Sequence, residues 1–474
     1  MTLTPHQTQA FERIKAFLEN EHQKVFVLKG YAGTGKTTLV KFLLDWMEGG
    51  ERRPVLLAST GRAAKVLASK ALGEAFTVHS HIYSFDVLDE KKPGGQTDDG
   101  VGQLTLNFEL KSGPVGQKIL YVVDEASMLS HLTNEQNTFT QFGSGNLLLD
   151  LFKFVGNNKI LFVGDPVQLP PVSGRNPFSP ALSAAFLEKQ FKKTAGEVEL
   201  TEIMRQREGH AILDLATQLR NIVIAETEPD WEEIMGMEAA GIARPYTGQI
   251  MVDWYLRQVG DGWDKAIILA HSNKQAHFLN STVRKTIFKG NPPHHLQEGE
   301  LLMVTQNSYH VPLSNGDQVL VRKIRPAGNR AGFFFLEVEV EAIHNGEIYK
   351  TLLLHEFLFK EQANLDPEKQ RALLIDFDKR ARDKGWRRNS DVYKEAMRTD
   401  PYLNALRAKF GYVVTCHKAQ GGEWPNVYIN LSESLNLLER ETRFRWLYTA
   451  VTRAQETLNL KPVWKNKNQG GWRR

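Results

Sequence analysis

Residues Gly30 to Thr37, GYAGTGKT, carry the spacing G-x-x-x-x-G-K-[ST] between an apolar run and a helical pattern. Phosphate binding asks for this arrangement. Small residues (Gly30, Ala32, Gly33, Thr34, Gly35) let backbone N–H groups turn inward around the anion, and the helix that follows adds its N-terminal dipole. Lys36 would reach the β/γ-phosphates, the Thr37 hydroxyl would ligate Mg²⁺, and Thr38 beside it would also bind the nucleotide. A carboxylate pair lies further on in YVVDEAS: Asp124 at a strand end would hold the metal, and Glu125 would orient or deprotonate an attacking water. In GDPVQLPPV, Gln168 offers a donor and an acceptor that could sense the γ-phosphate and the water together. Two arginines, Arg205 in LTEIMRQ and Arg453 in LYTAVTRA, are the residue type that stabilises charge spread over a transferring phosphoryl group. Each, taken alone, is as compatible with a surface ion pair.

Two stretches leave alternatives open. In LTPHQTQAF, Gln7 could meet an adenine edge, or it could complete a capping box with Thr4 ahead of Pro5. TCHKAQGGEW holds the only cysteine, Cys416, beside His417 and Lys418. A thiolate–imidazole pair is one reading. If the strand GYVVTCH stays extended, however, the two side chains diverge to opposite faces, and Cys416 is a small buried apolar residue.

The elements that must hold these groups are legible as short apolar runs. KVFVLKG, PVLLAST, KILYVVDEAS and KILFVGDPVQ are strand-length and apolar on both faces, as in a buried parallel sheet, with helical patterns between them. Their polar ends carry the motifs, where ligands of such sheets sit. The pattern recurs in KAIILAHSNK, GYVVTCHKAQ and NVYINLS, which implies a second α/β domain. A β-rich insertion interrupts it, with hairpin signals at Asn345-Gly346 and Asn315-Gly316. A shorter, Gly-rich insertion contains QLTLNFELK, one arm of a hairpin.

The 474 residues are 41% hydrophobic and 24% charged, the balance of a soluble chain of two to four domains. One cysteine excludes a disulfide framework and fits a reducing cytosol, hence a cytoplasmic location. No apolar stretch reaches the roughly 18 residues of a membrane span. The net charge of +4 is compatible with a polyanionic partner, although the basic runs RARDKGWRR and WKNKNQGGWRR are each as well explained as solvated faces.

In this order the segments resemble superfamily 1 DNA helicases of the RecD/Dda-like branch, which includes the Pif-type enzymes. DEAS, GDPVQLPPV and TCHKAQGGEW look like that branch, STGRAAKVL and TVHSHI like its first two DNA-contact motifs, and HSNKQAHFLNSTVR like the opening of its second core domain. The resemblance implies an α/β chain of two tandem RecA-like P-loop domains with ATP between them. The first would span 1–80 and 118–200 with a hairpin or wedge at 81–117. The second would span 201–290 and 409–474, with an SH3-like β-barrel and helical insertion at 291–408. It implies ATP and Mg²⁺ as cofactors, 5′-to-3′ movement on single-stranded and forked DNA, and action as a monomer with single-strand-binding, replication or repair partners. DNA contacts would come from Thr60, Gly61, Arg62, His79, Asn273, Thr415, His417 and Lys418. Gly421 and Glu423 would sense the nucleotide, with Phe108 as the strand-separating residue. A motor subunit of a larger complex, an RNA helicase and a P-loop switch protein are the competing readings.

Overall fold

The computed structural model describes residues 2–461 apart from 72, 92–102, 134–139, 172–177, 204–210, 228–240, 246, 309, 363 and 389. In chain order the strands are β1 (Val25–Gly30), β2 (Arg53–Ala58), β3 (Ala75–Thr77), β4 (Tyr83–Lys91), β5 (Gln103–Leu110), β6 (Ile119–Asp124), β7 (Thr140–Phe142), β8 (Lys159–Gly164) and β9 (Ala195–Leu200). They continue with β10 (Ile242–Ala243), β11 (Ala266–Ala270), β12 (Leu301–Val304), β13 (Gln318–Arg330), β14 (Phe333–Ala342) and β15 (Ile348–Leu354). The last four are β16 (Ala408–Phe410), β17 (Val413–Thr415), β18 (Trp424–Asn430) and β19 (Ala454–Lys461).

The chain divides into two compact units, one of residues 1–206, 294–411 and 420–422, the other of residues 207–293, 412–419 and 423–474. The first unit is built on a parallel six-stranded sheet of order β3-β2-β6-β8-β1-β9. Its central strands β1, β6 and β8 are the continuous apolar runs of the sequence and are buried along nearly their whole length. The edge strand β9, AGEVEL, escapes that signature because an edge strand alternates. Its outward glutamates find cations and hydroxyls instead: Glu197 pairs with Lys29 at 2.8 Å, and Glu199 accepts from the Tyr31 hydroxyl.

Helix α1 (Pro5–Glu19) is fixed to this sheet at its far end by Lys159. The side chain is fully buried, and its ammonium donates to the carbonyls of Phe17, Asn20 and Gln23 at 2.7–2.8 Å. Burial lowers its pKa to about 8. The three acceptors, gathered at a helix C-terminus, favour the charged form in return.

Two insertions elaborate the first unit. β4 and β5 form the expected antiparallel hairpin, and β7 adds a third strand parallel to β5. The larger insertion is the antiparallel sheet β15-β14-β13-β12-β16. Leu406 donates to the Leu352 carbonyl at 2.7 Å and accepts from the Leu354 N–H at 3.2 Å, which closes the sheet into a small barrel. Both Asn-Gly turns are present, with Gly316 and Gly346 at positive φ. The sequence FFFLEVEVEA alternates buried and open positions along β14. Its outward Glu337, Glu339 and Glu341 oppose Arg325, Lys323 and Arg322 on β13, the cross-strand pairing that holds register. In sequence this barrel interrupts the second unit. In space it packs with the first.

The helical part of the insertion accounts for one basic run. Arg388 and Arg382 both engage the buried Asp378, Arg388 through two nitrogens at 2.7 and 2.6 Å. Arg380 forks onto Asp400 and also reaches Asp376. RARDKGWRR is therefore largely an internal ion-pair network between helices Pro367–Asp383 and Asp391–Thr399. The basic tail lies outside the described residues.

The second unit is a parallel five-stranded sheet of order β10-β19-β18-β11-β17. Two parallel α/β sheets in tandem are the expected architecture. Among the described residues no helix is long and apolar enough to cross a membrane.

Candidate functional site

β8 lies between β1 and β6, so the carboxyl ends of these three strands deliver the phosphate loop, Asp165 and Asp124 to one edge of the first sheet. Helix α2 (Lys36–Met47) begins as soon as the loop ends, with Thr37 and Thr38 in its first turn. Gly33 and Gly35 have φ of 78° and 79°, a region that costs any side chain and that the inward turn of the amides requires. The Thr34 hydroxyl donates to the Tyr31 carbonyl at 2.9 Å, and Lys36 Nζ donates to the carbonyls of Gly30 and Tyr31 at 2.7 and 2.9 Å. Loop and lysine are thus pre-shaped by their own hydrogen bonds.

Gln7 resolves toward the cap. Its Oε1 accepts from the Thr4 N–H at 3.2 Å while its own N–H donates to Thr4 Oγ1. Its Nε2 donates to the Thr34 carbonyl at 3.4 Å. The amide expected at an adenine edge is engaged at both ends: it ties the start of α1 to the phosphate loop.

Asp124 ends β6, and its Oδ1 accepts from the Glu125 N–H at 2.9 Å. Glu125 sits in the left-handed region, φ 50°, where a non-glycine residue is strained and marks functional turns. Burial raises the Asp124 carboxyl above its usual range, and the Glu125 N–H and the Lys36 and Lys70 ammoniums oppose the rise. Asp165 is buried and accepts from the Val167 N–H at 2.9 Å, shaping the turn that presents Gln168, itself nearly inaccessible. The next carbonyl, Leu169, accepts from Gln420 Nε2 at 3.0 Å.

The expected DNA-contact residues fall into two groups. Thr60 caps α3 (Gly61–Ala71) by accepting from the Ala63 N–H at 3.2 Å. A Cβ on Gly61 would stand 2.2 Å from Ser314 Cβ in the barrel's Asn-Gly turn, so only glycine admits this approach. Around it, Arg62 donates to Gln318 at 3.4 Å and Lys65 pairs at 2.5 Å with Asp317, whose side chain is 3% exposed. Lys65 and Asp317 were not among the expected residues. A lysine one turn after Gly61 and an aspartate in an Asn-Gly-Asp turn carry no sequence signal that they meet. Gly421 lies against Ala63 of the same helix.

His79 is half-buried against the rings of Tyr83 and Phe142, and burial lowers its imidazole to about 4, so any contact it makes with DNA is that of a neutral ring. Two expectations are corrected. Phe108 is buried in the core, stacked on Phe142 with centroids 4.7 Å apart. It anchors the hairpin base, and a residue so covered does not part strands. The stretch from Thr415 does not stay extended: β17 ends at Thr415 and a helical turn occupies Cys416–Ala419. The Cys416 thiol is buried and pushed up to about 12, which leaves no thiolate. Burial lowers the pKa of His417 and of Lys418.

In the second unit Asn273 is exposed at the start of helix Asn273–Ile287, behind the Ser272 cap. Glu423 accepts from Gln455 at 3.1 Å. Arg453 is 4% exposed, with Nε on the Thr449 carbonyl at 3.0 Å and an Nη on Thr452 Oγ1 at 3.1 Å. Arg205 lies outside the described residues.

A phosphate loop at the head of a parallel sheet, followed by a second parallel sheet, defines a tandem RecA-like P-loop protein, and comparison with known proteins narrows this. Residues 2–228 match the family model described as an AAA domain, and residues 410–460 the UvrD-like helicase C-terminal domain. The chain is similar to the ATP-dependent DNA helicase dda of Enterobacteria phage T4, 29% identical over 303 residues that cover 60% of this chain and 58% of that protein. It is also similar to the ATP-dependent RecD2 DNA helicase of Deinococcus radiodurans, 24% identical over 91% of this chain and 46% of the relative. It thus spans little more than half of one relative and under half of the other. Its fold matches that of the Pif1 helicase from Bacteroides solved with ADP-AlF3 and ssDNA, with TM-score 0.52, 15% identity and coverage of 98% and 94%. These likenesses are all to helicases of the Pif1/RecD/Dda-like group.

Proposed function

We propose that the protein is an ATP- and Mg²⁺-dependent helicase that moves 5′ to 3′ on single-stranded DNA and unwinds the duplex ahead of it. One observation carries this reading: a pre-shaped phosphate loop whose neighbouring strand ends supply a carboxylate pair and a glutamine, in a chain related to DNA helicases. The loop amides and Lys36 bind the β/γ-phosphates. The donor set suits magnesium, since a hydroxyl in the first turn of α2 and a buried strand-end carboxylate are hard oxygen ligands; Thr37 and Asp124 would hold the ion, which neutralises phosphate charge when bound. Glu125 orients the attacking water and accepts its proton, and Gln168 reports the γ-phosphate to the segment held by Gln420. Arg453 and Arg205 stabilise the transition-state charge. Thr60, Gly61 and Arg62 at the head of α3, with Asn273, Thr415, His417 and Lys418, hold the strand through backbone and small polar groups without reading bases.

ATP turnover with and without single-stranded DNA or RNA tests the reading. Wild type should be stimulated by DNA above RNA, and Lys36→Ala should abolish turnover. Retained turnover in Lys36→Ala would remove the loop as the site; equal stimulation by RNA would remove DNA as the substrate.

A further inference from the structure

Helix Asn273–Ile287 buries Ala276, Leu279, Asn280, Val283 and Arg284 against its unit. Its opposite side is ordered too. Lys274, Phe278 and Lys285 are exposed, as is Lys289 just past the helix end. At 3.6 residues per turn the first three lie within about 40° of one another, a stripe roughly 16 Å long. Phe278 is 67% exposed. A single open phenylalanine is ordinary on a protein surface; a ring set on a rigid helix between two ammonium groups is less so. Some exposed lysines elsewhere are paired, as in Lys118–Glu51 and Lys323–Glu339. Among the described residues Lys274, Lys285 and Lys289 have no carboxylate partner. The scaffold is firm, since Arg284 turns inward to the Pro293 carbonyl at 3.1 Å and fixes the turn that carries Lys289. Thr282 and Ser281 return their hydroxyls to helix carbonyls and leave the ring uncovered.

We infer that this stripe is an accessory site for single-stranded nucleic acid, with an unpaired base stacked on Phe278 and flanking phosphates held by Lys274 and Lys285. The alternation of cation, ring and cation is the chemistry that grips a strand without reading its sequence. A duplex presents no free base face to the ring, which commits the site to unpaired strand. The helix opens with Asn273, so the stripe continues the contacts proposed above. The inference rests on the helicase reading and extends it to a surface that reading does not use.

The test is the affinity of wild type and variants for a long oligothymidylate strand, followed by fluorescence anisotropy across a salt series. Phe278→Ala should weaken binding about five- to tenfold, within the range for loss of one base stack, and Phe278→Tyr should restore it. Lys274→Gln with Lys285→Gln should reduce the slope of log affinity against log salt by about 1.4, two contacts at roughly 0.7 each. Blunt duplex binding should not change in Phe278→Ala. If all variants keep wild-type affinity and slope while DNA still stimulates wild-type ATP turnover, the stripe is not a nucleic-acid site and the helicase reading stands. If DNA fails to stimulate the wild type at all, the helicase reading itself falls. Equal losses in Phe278→Ala and Phe278→Tyr would also overturn the stacking assignment.

Discussion

The Cys416 thiol lies fully buried, 3.7 Å from the Trp446 carbonyl. A group held there in its protonated form is no nucleophile. Cys416→Ala should keep wild-type ATP turnover, and a thiol-alkylating reagent should leave native enzyme active; inactivation prevented by the substitution would contradict this. Arg453 makes the opposite case. Its guanidinium is held on the Thr449 carbonyl and the Thr452 hydroxyl at the end of its helix, a fixed position for a permanent, planar cation. Arg453→Ala should retain nucleotide affinity and cut hydrolysis by about 10³ or more, the worth of an arginine finger. Parallel loss of binding and hydrolysis would make it a structural residue. At this scale the phosphate loop was plain in the sequence, because its function constrains residue type at fixed spacing. The role of Gln7 was not, because one amide could satisfy either a cap or a base, and only the fold shows both its ends engaged.

Among the elements, the hairpin insertion depends on Asp150. This nearly inaccessible carboxylate in helix Leu147–Val155 accepts from the Tyr83 hydroxyl at 2.9 Å, where β4 begins. It also accepts from the Ser144 N–H and hydroxyl at 2.8 and 2.7 Å, just past β7. One side chain thus ties both ends of the three-stranded insertion to this helix. Asp150→Ala strands buried donors and should cost about 2–4 kcal/mol. If the hairpin parts the strands, it should also lower strand separation more than DNA-stimulated ATP turnover; an equal fall in both would separate the hairpin from unwinding. His79 sits at the same base. Its folded pKa of about 4 lies below the unfolded value near 6.5, so the unfolded state takes up the proton first. The stability it contributes is complete above about pH 6.5 and falls as pH drops toward 4. Denaturation at pH 7 and pH 5 should show a loss in wild type that is smaller in His79→Gln. The Asn-Gly turns made the barrel's hairpins predictable. Its packing against α3 was not, since Gly61 and Ser314 are some 250 positions apart and their contact leaves no local pattern. The helical turn at Cys416–Ala419 was missed because Val-Val-Thr reads as strand and nothing in the residues that follow marks where it stops.

For the whole molecule, composition says less than the fold. The net charge of +4 suggests a polyanionic partner, yet much of RARDKGWRR is consumed by Asp376, Asp378 and Asp400. Among the described residues, the lysines of helix Asn273–Ile287 are instead exposed and not in ion pairs. The most direct measurement is strand separation with ATP on duplexes carrying a single-stranded tail at either the 5′ or the 3′ end. The expected result is ATP-dependent unwinding of the 5′-tailed duplex, little of the 3′-tailed one and none by Lys36→Ala. Preference for the 3′ tail, or ATP turnover stimulated by DNA with neither duplex opened, would contradict a 5′-to-3′ helicase.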